Sequence, residues 1–326
     1  MLGIGLGIML ISALAAVFIN TENQPETTFT PEIYPNAEGS RKVLSSSAPV
    51  ILKVNIKGVI GTENLSMQSV RRLLVESREG TFKDNRVKAV ILNIESPGGT
   101  VIDADGIYHA LLAYKEMYKV PVYAYVDGLC ASGGMYVASA ADKIFASSIS
   151  LIGSVGVIAP SFLNFTQLMD KIGVQALTLS AGKGKDELNP LRPWKPGEED
   201  ALKSIIEYYY HDFVNIVTSA RPALSKEKLI EEYGAHVFPA PKAQEYGFID
   251  VSGYSFNEAL KELLKKIGIE DQFYQVYQLE NKNWLNTLLN GNFSLLKGEV
   301  KHKLQLGNNY NPELMDQFLY LYRSEQ

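Results

Sequence analysis

The sequence predicts an α/β fold with a mostly parallel sheet, because buried-strand patterns alternate with helical patterns along the chain. Residues 88–94 (KAVILNI) form a continuous apolar run, as expected for a strand covered on both faces. Apolar residues then recur at helical spacing over 102–117, and a second buried strand is predicted at 121–126. This alternation is typical of parallel strands joined by crossover helices.

The other elements show the same rhythm. Strands are predicted from short apolar or β-branched runs, and helices from apolar positions three or four residues apart. In chain order these patterns predict a strand at 50–56, a helix at 65–76, a helix at about 132–140, a strand at 144–146, a helix at 162–172, a strand at 174–179, helices at 199–220, 225–233 and 242–246, a strand at 248–250 and an amphipathic helix at 255–267. Residues 181–198 lack any periodicity and predict a long loop, which in a compact domain is usually functional or disordered.

Composition and charge exclude several kinds of site. A formal net charge of −5 leaves no basic stripe for nucleic acid. The single cysteine, Cys130, excludes an internal disulfide and a cysteine-based zinc cluster. The histidines show no metal-ligand spacing. We therefore expect no nucleic-acid partner, no metal and no cofactor.

The N-terminal residues 2–19 form an apolar run without a charged residue, just long enough to span a bilayer. A cleaved signal peptide would have a shorter core and a basic start, and a buried core helix is the remaining alternative. We predict a transmembrane anchor at 1–19 and a polar linker at 20–48. Residues 20–38 hold four glutamates and no base, which favours an extracytoplasmic position for the rest of the chain.

The turn Ser96-Pro97-Gly98-Gly99 comes directly after the buried strand at 88–94. Glycines at such a position let backbone N–H groups face outward, where they can stabilise a developing oxyanion. The alternative is a tight turn between a strand and a helix, with no chemical role.

Ser132 lies in the run Ala131-Ser132-Gly133-Gly134, at the predicted junction between a strand and a helix. There a serine would sit at the positive end of the helix, beside the Gly133 N–H group. It is either a nucleophile or an ordinary helix cap in a closely packed helix. Ser154, in the run Gly153-Ser154-Val155-Gly156, is either a polar strand residue or a group that orients a base.

A nucleophilic serine needs a group that accepts its proton. No histidine lies between Ser132 and His211, so the remaining common choice is a lysine made neutral by desolvation. Lys183 and Lys185 both lie in the 181–198 loop, and their spacing alone does not choose between them. A loop lysine is more often a solvated charge.

Together these stretches resemble the signal peptide peptidase A family of bacterial serine proteases, peptidase family S49. The resemblance covers roughly residues 50–252. It rests on S-P-G-G, on D-G-x-x-A-S-G-G-x-Y from Asp127, on A-D-K-I-x-A from Ala141, on G-S-V-G-V from Gly153 and on K-D-x-x-x-P-x-R from Lys185. One departure is Pro239-Ala240, where the family usually has Thr-Gly, and it touches the fold rather than the site.

The resemblance implies a role for each matching residue. Ser132 would be the nucleophile, Lys185 the general base, and Ser154 the group that hydrogen-bonds the lysine. The oxyanion hole would consist of backbone N–H groups from three glycines, Gly98, Gly99 and Gly133.

The resemblance also implies an architecture. It is a superhelical βαβ core of the Clp protease and crotonase type at 49–252, with an N-terminal transmembrane helix and a C-terminal helical extension at 253–326. The chain has one unit that holds both Ser132 and Lys185, as in the family's short form. We therefore expect a homo-oligomeric ring with dyads shared between protomers.

The implied activity is that of an endopeptidase in the bacterial inner membrane, with one membrane pass and an extracytoplasmic catalytic domain. It would degrade remnant signal peptides and other hydrophobic peptides. Two alternatives are a crotonase-type acyl-CoA enzyme, which uses similar oxyanion geometry, and a non-catalytic membrane scaffold that retains the fold.

Overall fold

A computed structural model of the chain describes residues 29–41, 43–269, 273–281 and 319–321. The predicted transmembrane anchor at 1–19 lies outside these residues, as does the first part of the predicted linker. Within the part of the chain that is described, no helix combines the length and apolar content that a membrane span requires.

The chain divides into two compact units, one comprising residues 1–31 and 279–302 and the other residues 32–278 and 303–326. The described residues of the first unit are 29–31, at the start of one strand, and 279–281, at the end of another. The second unit contains every predicted site residue.

A mostly parallel sheet forms the centre of the fold, as the sequence predicts. Its strands are β1 (Phe29–Tyr34), β2 (Val50–Lys57), β3 (Val87–Ser96), β5 (Val122–Ala131), β6 (Lys143–Ala146), β7 (Leu151–Gly153), β8 (Val237–Pro239), β9 (Val251–Ser252) and β10 (Gln275–Asn281). The order across the sheet is β1-β10-β2-β3-β5-β6-β9, while β7 pairs with both β5 and β8. The six pairs β10–β2, β2–β3, β3–β5, β5–β6, β5–β7 and β6–β9 are parallel, and β7–β8 is antiparallel. Two further strands, β4 (Gly98–Thr100) and β11 (Leu319–Leu321), form a separate antiparallel pair.

Helices connect and cover these strands. They are α1 (Met67–Glu76), α2 (Val101–Tyr118), α3 (Gly133–Ala138), α4 (Thr166–Ile172), α5 (Asp200–Ala220), α6 (Lys226–Lys228), α7 (Ala240–Tyr246) and α8 (Phe256–Ile267), and a π-helical turn (Leu229–Tyr233) continues α6. Side-chain caps fix several helix starts. Ser66 and Ser255 each form a capping box, and the Thr100 hydroxyl accepts a hydrogen bond from the Asp103 N–H.

One cluster of the hydrophobic core lies between the sheet and α8. Apolar residues of β2, β3, β5, β6 and β10 pack there against one face of that helix. The strand and helix residues of this cluster are almost completely buried: Ile51, Ala89, Ile91, Tyr123, Tyr125, Phe145, Ala259, Leu260, Leu263, Leu264 and Val276. Burying a large apolar side chain contributes about 1.5–3 kcal/mol. This rigid sheet therefore fixes the strand ends from which the site is built.

The structure contradicts some expectations from the sequence. Residues 174–179 form no strand, because no described strand pairs with them; Leu177 and Leu179 are 85% and 86% exposed. The expected strand at 248–250 forms instead at Val251–Ser252. The predicted helical extension at 253–326 contains one helix among its described residues, but also β10, which pairs with the free edge of β2.

Candidate active site

The turn after β3 is held by the buried hydroxyl of Ser96. Its Oγ atom donates to the Gly58 carbonyl (2.7 Å) and accepts a hydrogen bond from the Gly98 N–H (3.1 Å). Gly98 adopts a φ of 98°, a conformation that favours glycine. Of the three glycines expected to supply oxyanion donors, Gly98 thus has its N–H engaged within its own turn.

Gly99 lies in β4, closely packed against the main chain of Ile60. A Cβ atom at position 99 would approach the Ile60 carbonyl oxygen to 1.8 Å, so no other residue fits without moving the backbone. Ile60 and Gly99 form a bridge in which the Ile60 N–H donates to the Gly98 carbonyl (2.8 Å) and the Thr100 N–H to the Ile60 carbonyl (3.0 Å). The position of β4 is therefore tightly fixed.

Ser132 stands between the end of β5 and the start of α3. It is 1% exposed and has φ 55° and ψ −119°, an uncommon conformation for a residue other than glycine. Its N–H donates to the Gly153 carbonyl (2.9 Å). Surrounding structure must hold such a backbone, and strained residues of this kind cluster at active sites.

The structure distinguishes this serine from an ordinary helix cap. Ser132 occupies the N-cap position of α3, but its hydroxyl makes no capping hydrogen bond. Gly133 begins the helix, and its N–H belongs to the first turn, where N–H groups have no acceptor within the helix. A hydroxyl and a nearby first-turn N–H group thus meet at the positive end of α3.

Sheet register brings Ser154 beside Ser132. Ala131 of β5 pairs with Gly153 of β7, and the two serines directly follow the ends of these paired strands. Ser154 is 5% exposed, has φ 56°, and its N–H donates to the His236 carbonyl (2.7 Å). Gly153 packs so closely on the same carbonyl that a Cβ would lie 2.4 Å from it. The proximity of these two serines is a consequence of this register.

Cys130, two residues before Ser132, is a different kind of group. Its side chain is fully buried, and burial raises the pKa of the Cys130 thiol to about 12. Since the thiolate is the reactive form, this cysteine is an inert core residue at neutral pH.

Hydrogen bonds from Arg192 connect several parts of the 181–198 loop. The guanidinium bonds the Asp186 side chain and main-chain carbonyl and, at 2.7 Å, the Glu198 carboxylate. Glu198 is 7% exposed and also accepts from the Leu188 N–H (2.9 Å). The Arg192 hydrogen bond lowers the pKa of Glu198 below its ordinary range, and hydrogen bonds from Asn189 and Arg192 do the same for the pKa of Asp186. The K-D-x-x-x-P-x-R spacing is visible in the sequence, whereas no local pattern marks Glu198.

Lys183 and Lys185 are both exposed on this loop. Among the described residues, no hydrogen bond or ion pair joins either amine to Ser132 or Ser154. Within one chain, then, the two serines are brought together and the lysines are not brought to them.

A strand from the C-terminal segment, β11, pairs with one edge of β4. β11 runs antiparallel to it, with Leu319 opposite Thr100, Tyr320 opposite Gly99 and Leu321 opposite Gly98. It also contacts α2 and α3. This edge therefore accepts an extended backbone next to the helix that begins after Ser132.

The chain is similar in sequence to known peptidases. The sequence model of peptidase family S49 matches residues 114–270, and that of Clp protease matches residues 56–152. A protein from Enterococcus faecium that carries the name signal peptide peptidase SppA is 29% identical over 316 residues, covering 91% of this chain and 88% of that protein.

Two further relatives carry protease names. A protein from Synechocystis is 31% identical over 211 residues, covering 64% of this chain and 72% of that protein. The chloroplastic serine protease SPPA of Arabidopsis thaliana is 30% identical over 199 residues, covering 61% of this chain and 28% of that protein. These matches favour a protease over an acyl-CoA enzyme or a non-catalytic scaffold. The chain belongs to peptidase family S49 and is a serine protease.

Proposed function

We propose that this serine protease is an endopeptidase with a Ser–Lys dyad, in which Ser132 is the nucleophile and Lys185 the general base. The observation that carries the proposal is the conformation of Ser132. It is a buried, strained residue at the start of a helix, and its hydroxyl is not used as a cap. Strained, buried residues of this kind are enriched at active sites.

The proposed oxyanion hole is formed by the N–H groups of Gly133 and Gly99. Gly133 has a first-turn N–H, and Gly99 lies on the strand that flanks the site. Gly98 is not proposed as an oxyanion donor, because its N–H already donates to Ser96. It stabilises the turn that precedes Gly99. Losing one oxyanion donor costs about 3–4 kcal/mol of transition-state stabilisation.

In the proposed mechanism, the neutral Lys185 amine accepts the Ser132 proton as Oγ attacks the peptide carbonyl. The carbonyl oxygen becomes an oxyanion against the glycine N–H groups. The tetrahedral intermediate collapses as the lysine ammonium returns the proton to the leaving amine, which gives an acyl-serine. Water then attacks, the lysine again accepts and returns a proton, and Ser132 is regenerated.

Ser154 is proposed to hold the amine in line with Ser132. Its position one residue after the Gly153–Ala131 pair puts it next to the nucleophile on the neighbouring strand. A hydroxyl is a suitable partner for a neutral amine, because it can donate to the amine nitrogen or accept from it.

The base is proposed to come from a neighbouring copy of the chain in a homo-oligomeric ring. Lys185 is exposed in one chain, whereas a lysine amine is ordinarily protonated at neutral pH and needs desolvation to act as a base. The segment 162–191, which contains Lys185, exposes large apolar side chains: Phe162, Leu163, Leu168, Ile172, Leu177, Leu179 and Leu191. Exposed apolar side chains in such number favour a protein interface, and in the proposed ring a second copy covers them and excludes water from the amine.

The proposed substrates are hydrophobic peptides in extended conformation, including remnant signal peptides. Support comes from the edge of β4, which pairs with an extended segment in β11. Adding a strand to an open edge provides main-chain hydrogen bonds that are independent of sequence. The SppA name of the Enterococcus relative and the apolar run at 2–19 fit a single-pass inner-membrane enzyme with an extracytoplasmic active site.

Labelling with a fluorophosphonate probe and subsequent peptide mapping test this proposal. The wild-type chain should be labelled at Ser132, the Ser132→Ala variant should not be labelled, and Lys185→Ala should be labelled at least about 100-fold more slowly. Lys183→Ala, which alters the neighbouring loop lysine, is the matched control and should retain the wild-type rate. Labelling of Lys185→Ala at the wild-type rate would refute the proposed base.

A further inference from the structure

Three helices meet at the hydroxyl group of Tyr136. This residue is 1% exposed and lies on α3. Its Oη atom is 2.8 Å from Asp105 Oδ1, on α2, and 3.0 Å from Asp212 Oδ2, on α5. A phenol has a single proton and therefore donates to one carboxylate at a time. The two carboxylates thus compete for one donor on the helix of the nucleophile.

The surroundings of this group are aromatic and charged. Tyr108 packs edge-on against Tyr136 at 5.5 Å, and Phe213 lies at 5.1 Å. Burial, and then the charges of Asp212 and Asp105, raise the pKa of Tyr108. The hydrogen bonds from Tyr136 to the two carboxylates therefore lie in a partly desolvated aromatic environment. A charge-assisted hydrogen bond is stronger there than in water.

Tyr136 is one helical turn from the nucleophile. Its N–H donates to the Ser132 carbonyl (3.0 Å), the first hydrogen bond of α3. The helix has only six residues, too few to be stable without tertiary contacts. Ser132 also needs surrounding structure to hold its strained backbone. A fixed Tyr136 side chain supplies such a restraint at short range.

We propose that the Tyr136 hydroxyl is a positioning group for the protease reaction, which holds Ser132 in its reactive conformation by joining α3 to α2 and α5 through Asp105 and Asp212. The inference rests on the proposed role of Ser132 as nucleophile. Packing of the ring alone would not require a hydroxyl between two carboxylates from separate helices. Loss of the hydroxyl lets α3 shift, and small displacements of a nucleophile reduce the rate steeply.

The test compares Tyr136→Phe with Tyr108→Phe. Both substitutions remove one phenol hydroxyl from the same aromatic contact, but the Tyr108 hydroxyl makes no hydrogen bond within the described residues. The rate of fluorophosphonate labelling of Ser132 and the kcat and KM for a peptide substrate are measured in the full chain, per folded protein. Tyr136→Phe should lower the labelling rate and kcat by about 10- to 100-fold with KM unchanged. Tyr108→Phe should stay within about twofold of the wild type.

Asp212→Asn provides a second variant if Tyr136→Phe folds poorly. It keeps the side-chain shape but replaces the charged acceptor, and a several-fold loss of kcat is expected. Equal labelling rates in wild type and Tyr136→Phe would overturn the inference while leaving Ser132 as the nucleophile. A wild-type chain that the probe does not label at Ser132 would instead refute the proposed function, and the positioning role with it.

Discussion

At the residue scale, the turn before β4 depends on the buried hydroxyl of Ser96. It satisfies the Gly58 carbonyl and the Gly98 N–H. Ser96→Ala would leave the buried Gly98 N–H without its acceptor and would remove the donor to the Gly58 carbonyl, which should lower the free energy of unfolding by about 1–3 kcal/mol. Denaturant unfolding measures this change. Ser45→Ala removes an exposed hydroxyl and should alter stability by less than about 0.5 kcal/mol; an equal effect of the two substitutions would contradict this role of Ser96.

Cys130 gives a prediction about pH. Burial favours the neutral thiol, so the folded-state pKa is raised from 9.0 to about 12. The stability that this contributes is complete below the unfolded pKa and is lost as pH rises from about 9 towards about 12. At pH 8 the native chain should resist alkylation by iodoacetamide, whereas the denatured chain should react fully. Rapid alkylation of the native chain at pH 8 would contradict the burial of this thiol.

Single residues were predictable where chemistry forces a residue type. The glycine-rich stretches around Gly99 and Ser132 mark them in the sequence, and the structure adds a physical constraint at each, a close main-chain contact at Gly99 and a strained backbone at Ser132. The engagement of the Gly98 N–H by Ser96 was not predictable, because it depends on a side-chain rotamer. The contact of Tyr136 with Asp212 joins residues 76 positions apart, which no local pattern reports.

At the scale of elements, Arg192 orders the 181–198 loop. Its guanidinium lowers the pKa of Glu198. The pKa of Asp186 is lowered mainly by the hydrogen bond from Asn189 and next by the one from Arg192. A lowered carboxyl pKa stabilises the loop above the ordinary carboxyl range, and this contribution is lost as pH falls through the lowered pKa. Trp194, which donates to the Asn189 carbonyl, reports on the loop by fluorescence.

Trp194 emission, in a Trp284→Phe background, should therefore be constant from pH 8 to about 4 and change below that range. Arg192→Ala should show the altered emission already at pH 7 and lose protease activity. Arg192→Lys keeps the charge but cannot bond both carboxylates in a fork, so it should fall in between. Unchanged emission and activity in Arg192→Ala would show that the loop does not depend on this cluster.

The strand β11 gives a second prediction at this scale. Because it is tethered to the chain and pairs with β4, it competes with any peptide that adds to the same edge. Removal of residues 319–326 should lower KM for a peptide substrate by roughly tenfold or more with little change in kcat. Removal of residues 322–326 alone keeps β11 and is the control. Equal KM values for the two truncations would indicate that β11 does not obstruct the edge.

Most elements were predictable because their burial produces a clear pattern. The strand β3 is buried along most of its length and has the sequence of an apolar run. The run at 174–179 has similar composition but no strand to pair with among the described residues, so composition alone was misleading. The parallel pairing of β10 with β2 was not predictable, because it joins segments more than 200 residues apart through tertiary contacts.

At the scale of the whole molecule, assembly with a second copy would account for both the exposed apolar side chains and the exposed Lys185. A single chain buries Ser132 and Ser154 but exposes Lys185 and several leucines of the segment 162–191. A neighbouring copy would cover this surface and bring its amine to the serine. Each complete site would then take Ser132 from one chain and Lys185 from the next.

Mixing two inactive variants tests this claim most directly. Ser132→Ala chains retain Lys185, and Lys185→Ala chains retain Ser132. If the chains are denatured together, refolded and allowed to assemble at random in equal amounts, about a quarter of the sites should pair an intact serine with an intact lysine. Peptidase activity of the mixture should therefore reach about 25% of wild type refolded in the same way, given this random pairing. A mixture that assembles fully and stays as inactive as its components at every ratio would contradict the shared dyad.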